Sequence, residues 1–182
     1  MTIVKQSIKN NPITWEMAAY DSTEELYSDI KATGDNLING LRETINAYID
    51  SKSYLDPDGF YTQEHKRRWV MLSSNALRIA KNLDVTYLLT SSEILNTVIK
   101  KQRDYGHENI SKFGITGLVI RVHDKVARVE NLMKKENFIN AVADETILDT
   151  LMDIIGYSII AYMWLNKTFM YNLGEINEKA SS

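Results

Sequence analysis

Beyond Pro57 the chain runs to Ser182 without another proline, and only Pro12 precedes it. Proline breaks the helical hydrogen-bond ladder and clashes with the preceding turn, so a long stretch without it can carry long helices. The apolar residues in that stretch recur at helical spacing. Ile115, Leu118, Val119, Val122, Val126, Val129 and Met133 share one face at a 3.6-residue period. Residues 115–136 are therefore predicted to be an amphipathic helix with that face in the core.

The same reading extends along the chain. Residues 22–51 have a Ser/Thr/Asp start and apolar Leu26, Ile30, Leu37, Leu41, Ile45 and Tyr48, which predicts a helix with a break near Gly34. Asp56-Pro57-Asp58-Gly59 is a turn. Residues 62–82 form a second helix. A third begins at Thr90 with a Thr90–Glu93 capping box and closes at Gly106. Residues 115–136 are the fourth and 144–172 a long fifth. Residues 1–21 give weak signals, with a possible short strand at 2–8. No repeat is present. The expectation is an all-α fold, a bundle of about five helices, in a single domain spanning 1–182.

Composition narrows the function classes. A formal net charge of −3 argues against a dedicated nucleic-acid binder. With no cysteine, disulfides and thiolate metal sites are excluded. Any metal must be held by oxygen or by the three histidines, which favours magnesium, or else manganese. The N-terminus lacks the apolar stretch of a signal peptide, and the run from Ile154 to Leu165 is too short to span a bilayer. A cytoplasmic protein with no membrane partner is expected.

Chemistry concentrates on two segments. Glu145, Asp149 and Asp153 recur every four residues and so stack along one helical stripe. Like charges at this spacing cost an isolated helix about 0.2–0.5 kcal/mol per pair. The stripe needs a counter-charge, from a divalent metal or from a basic helix packed alongside. Asp153 lies past the first turn, beyond the help of the helix dipole. After it the helix is apolar nearly all round, through Tyr157, Ile159, Ile160, Tyr162, Met163 and Trp164, so the stripe heads into the protein.

The other segment is a polar arc of Arg121, Asp124, Lys125 and Arg128 on helix 115–136. Three cations around a carboxylate can hold the phosphates of a nucleotide, with Asp124 as a metal ligand. The same spacing also makes a solvated ion-pair face. The run Lys100 to Asn109 ends a helix with cations that suit its dipole. Its Tyr105, His107, Glu108 and Asn109 are residue types that recognise a base or sugar. His65-Lys66-Arg67-Arg68-Trp69 reads as a solvated helix face, and His123 as a residue at the core edge. No phosphate-binding glycine loop, nucleophile elbow or histidine-rich zinc motif occurs.

Arg103-Asp104-Tyr105-Gly106, then Arg121-Val122-His123-Asp124-Lys125-Val126-Ala127-Arg128, then Asp144-Glu145 and Asp149-Thr150-Leu151-Met152-Asp153-Ile154-Ile155-Gly156-Tyr157 form an ordered set. This set resembles the nucleotide modification associated domain 1 family, found largely in bacteriophages and their hosts and similar to MazG-like all-α nucleotide pyrophosphohydrolases. The resemblance covers residues 86–172, and 1–85 lie outside it.

It implies magnesium held by carboxylates from two neighbouring helices, with hydrolysis of a nucleotide between its α- and β-phosphates. On that basis Glu145, Asp149 and Asp153 are metal-side carboxylates, with Glu145 and Asp149 catalytic and Asp124 a further ligand. Arg121, Lys125 and Arg128 are phosphate partners, and Arg103 and Tyr105 contact substrate. MazG-like proteins carry Glu-x-x-Glu on the first metal helix. Here that helix offers Asp124 and a Glu130 that points another way, with Glu108 as a possible replacement. The resemblance also implies a homodimer or dimer of dimers, contacting near the fifth helix, in the host cytoplasm if phage-encoded. Two alternatives stand beside the enzyme: a non-catalytic nucleotide-binding protein, such as a phage sponge for a signalling nucleotide, and a helical scaffold whose charges are all ion pairs.

Overall fold

The structure, a computed structural model, describes residues 13–28, 37–52, 55, 62–83, 91–134 and 146–174. These form helices and no strand: α1 (Trp15–Ser28), α2 (Leu37–Ser51), α3 (Thr62–Leu83), α4 (Ser91–Tyr105), α5 (Glu108–Ser111), α6 (Gly114–Met133) and α7 (Thr146–Leu165). The all-α class follows the sequence, with seven helices among the described residues in place of about five. The possible strand at 2–8, the turn at 56–59, Gly34, Thr90 and Glu145 all lie outside the described residues.

Where the apolar face is strong, the helix falls as expected. Ile115, Leu118, Val119, Val122, Val126 and Val129 of α6 are all buried. Leu41, Ile45 and Tyr48 of α2 are fully buried as well. Gly106, at φ +67°, closes α4 by donating its N–H to the Gln102 carbonyl.

The expected helix over 22–51, with its break near Gly34, falls across the pair α1 and α2, and residues 29–36 between them lie outside the described ones. Helix α1 begins at Trp15, within the stretch of weak signals. Its inward stripe is Trp15, Ala18, Ala19, Ser22, Thr23 and Leu26, at strict helical spacing. Four of those six are small or polar, so hydropathy understates the stripe. Thr23 Oγ1 donates to the Ala19 carbonyl at 2.7 Å, which satisfies the buried hydroxyl.

Helix α7 is the axis of the bundle. It packs most extensively on α3, then α6, α1 and α4. Its span Ile147–Leu165 is apolar and long enough to cross a membrane by composition, but 61% of it is buried inside the protein. That is the pattern of a core helix. Helices α1 and α3, both from the first eighty-five residues, pack against it within the chain.

Helix α7 stops at Leu165, short of the expected 172. Lys167 takes a left-handed φ of 61°, Thr168 donates to the Met163 carbonyl at 2.9 Å and Lys167 to that of Trp164 at 2.9 Å. This is a Schellman ending with lysine where glycine is usual, so no glycine marked it in the sequence. The chain then turns back. Phe169 packs edge-on to Trp15, and the Trp15 backbone N–H donates to the Asn172 backbone carbonyl at 2.8 Å.

The start of α6 depends on Gly114. Its φ is +51°, and a Cβ there would lie 2.9 Å from Trp164 Cζ2. Trp164 is only half-buried and can shift, so the left-handed backbone dominates. Gly114→Ala is expected to lower stability by about 1–2 kcal/mol in urea denaturation, with unchanged helical circular dichroism. A loss near zero would mean that the turn relaxes freely.

Candidate functional site

Helix α7 carries Asp149 and Asp153 of the acidic stripe, and α4 and α6 flank it. Gly156 lets α4 ride close, since a Cβ there would sit 3.3 Å from Val98 Cγ2. One turn along each helix, Lys101 of α4 meets Asp153 of α7. Val98 pairs with Gly156 and Lys101 with Asp153, so the two helices run antiparallel here. On the other flank Lys125 of α6 meets Asp153, and Arg121, a turn earlier, meets Tyr157, a turn later.

Both oxygens of Asp153 are thereby taken. Lys101 Nζ is 2.5 Å from Oδ1 and Lys125 Nζ is 2.6 Å from Oδ2. The carboxylate is 19% exposed, whereas Lys101 is 53% exposed and reaches in from the rim. Burial pushes the Asp153 carboxyl up. The hydrogen bonds from Lys101 and Lys125 outweigh that, and it titrates below the ordinary carboxylate range. Beside it a groove between α4 and α7 is lined by Thr97, Val98, Met152, Gly156, Tyr157 and Ile160. Arg121 holds its guanidinium 5.9 Å from the centre of the Tyr157 ring and donates to Asn109 Oδ1 at 3.0 Å.

The expected site residues separate into groups. Lys125, Arg121 and Asp153 come together. Asp124 does not join them: its side chain is 75% exposed on the outer side of α6, 3.7 Å from His123 Nδ1. Arg128 and Asp149 are exposed and enter no ion pair among the described residues. Arg103 is engaged elsewhere: it bonds Glu16 Oε1 at 2.5 Å and the Gly174 carbonyl at 3.2 Å, while Glu16 accepts the Gly174 N–H at 2.8 Å. That clamp ties the returning C-terminal segment to α1 and α4. Tyr105 is 67% exposed at the end of α4. Glu130 points away from the stripe, as expected, and makes a two-pronged pair with Arg42 of α2 at 2.9 and 2.7 Å. The Arg42 hydrogen bonds hold its carboxyl below the usual range.

Sequence reasoning missed Lys101, grouping it with the dipole partners at the end of α4. A signal was present. Ile94 and Val98 are buried, and Lys101 follows at i+7, on the inward edge of the same face. The run His65 to Trp69 needs correction too. His65 and Trp69 are buried at 1% and 0% exposure, so two of the five residues of the supposed solvated face are core. Tyr48 is the reason: its hydroxyl lies 3.2 Å from His65 Nδ1 and its ring packs edge-on to Trp69.

A magnesium ion is the group to test against these residues. Among the described residues no three of His, Asp or Glu converge. Asp153, more buried than Asp149 on the same stripe, presents both oxygens to ammonium groups. A dication coordinated there would lie about as close to both lysines as the carboxylate does. The residues at Asp153 do not fit a magnesium site. Of the two sources of counter-charge that the stripe called for, basic helices alongside supply it at Asp153.

Residues 101–165 match the family model described as nucleotide modification associated domain 1. Lys101, Arg121, Lys125, Asp153 and Tyr157 all lie within that match, and Arg42, His65 and Trp69 lie outside it. No curated protein and no solved structure matches the chain.

Proposed function

We propose that this protein binds a nucleotide on the face made by α4, α6 and α7, with phosphates at Lys101, Lys125 and Arg121 and the base or sugar along the groove beside Tyr157. The observation that carries this reading is the convergence of two lysines, from separate helices, on one half-buried carboxylate at the edge of an apolar groove. Ammonium and guanidinium groups held in place are what phosphate oxygens require. An aromatic ring and an apolar wall offer a base its stacking surface. The family description, nucleotide modification associated, points to the same ligand class. Binding without turnover needs no further residue, which makes a nucleotide-sequestering protein the simplest form of this reading.

A second reading is magnesium-dependent pyrophosphate hydrolysis. What favours it is Asp149, exposed one turn before Asp153 on the same stripe. The reaction would draw on Asp149 and Glu145, and it takes no ligand from Asp153.

One experiment separates the two. Purified protein is titrated with a panel of ribo- and deoxyribonucleotides by calorimetry, and the products are identified by chromatography. Stoichiometric binding without product supports the first reading, and turnover supports the second. Lys101→Ala and Arg121→Ala should each weaken binding by about 1.5–3 kcal/mol, the worth of a charge-assisted hydrogen bond. Normal binding in both variants would remove the site from the reading.

A further inference from the structure

Resting on the reading of this face as a phosphate site, we infer that Lys101 and Lys125 take the part that a divalent cation plays elsewhere, so that phosphate is recognised without metal and Asp153 is a built-in counter-ion that the phosphate displaces. The charges support this. Lys101, Lys125 and Arg121 contribute three positive charges and Asp153 one negative, and Arg121 bonds only the neutral Asn109 among the described residues. The cluster therefore carries two net positive charges, the complement of a terminal phosphate dianion. The two lysines approach from different helices, and without Asp153 between them they would repel each other. The carboxylate keeps both ammonium groups at the groove edge before ligand arrives. A phosphate entering beside Tyr157 offers more oxygens and more charge than one carboxylate does.

The two ways of balancing the stripe give opposite signs for one substitution. If Asp153 held a metal, Asp153→Asn would weaken nucleotide binding. If Asp153 competes with phosphate for the lysines, the same change should tighten it.

The test titrates the full chain separately with each common ribo- and deoxyribonucleoside 5′-triphosphate, in excess EDTA and in excess magnesium. The expected result is binding in EDTA at least as tight as in magnesium, since magnesium would screen the phosphates. Asp153→Asn should then bind about tenfold tighter, and Lys101→Gln about tenfold more weakly. Should Asp153→Asn fail to fold, the wild-type comparison and Lys101→Gln carry the test, because Lys101 lies at the rim. Binding that appears only with magnesium overturns the inference and leaves the nucleotide reading standing. Weaker binding by a folded Asp153→Asn does the same. No binding of any nucleotide in either condition overturns both.

Discussion

Trp69→Ala is expected to lower the stability of this protein by about 3–5 kcal/mol, the range for emptying a fully buried aromatic site. Trp69 is 0% exposed and packs edge-on to Tyr48 with ring centres 5.6 Å apart. Tyr48 is itself deep enough that burial pushes its phenol up to about 12. It also takes the Arg68 guanidinium over its ring and the His65 nitrogen at its hydroxyl. Losing the indole leaves a cavity that this joint between α2 and α3 cannot refill. Urea denaturation followed by far-ultraviolet circular dichroism measures the change, and Trp69→Phe should recover part of it if the alanine variant does not fold. A cost under about 1 kcal/mol would fit a surface position and would return the run His65–Trp69 to a solvated face.

Asp153→Asn is expected to cost about 2–3 kcal/mol at neutral pH, because it removes a charge shared by two charge-assisted hydrogen bonds and leaves two ammonium groups facing each other. The loss should depend on pH in one direction. The folded carboxyl titrates below its unfolded value of about 3.9, so its contribution is complete above that pH and vanishes as pH falls through the lowered folded value. Wild type and variant should therefore differ fully at pH 7 and converge in acid. Thermal melts across pH 2–7 provide the measurement. A difference that persists unchanged into acid would mean that packing, not charge, distinguishes the two side chains. A nucleotide that binds the variant more tightly should restore part of the lost melting temperature by linkage.

The two predictions mark where local sequence information stops. Helical periodicity lies within a single segment, and α6 shows how much it can fix: every buried valine, isoleucine and leucine of that helix was legible in order. The glycine that ends α4 was legible for the same reason. So was the placing of Asp149 and Asp153 one turn apart on the same helical stripe. The failures have local causes as well. The inward stripe of α1 is small and polar, and α7 ends on a left-handed lysine, so neither sent its usual signal.

What the sequence could not determine is which cation answers Asp153. Lys101 and Lys125 belong to different helices, and both meet Asp153 only because α4 and α6 pack antiparallel on either side of α7. The same charge types in a different register would face solvent, as Asp124 does. His65 and Trp69 turn inward for a related reason: Tyr48, on another helix, supplies their partner. Spacing along one helix decides which side chains share a face. The register between helices decides what that face meets, and only the tertiary structure sets that register, through contacts such as Gly156 against Val98.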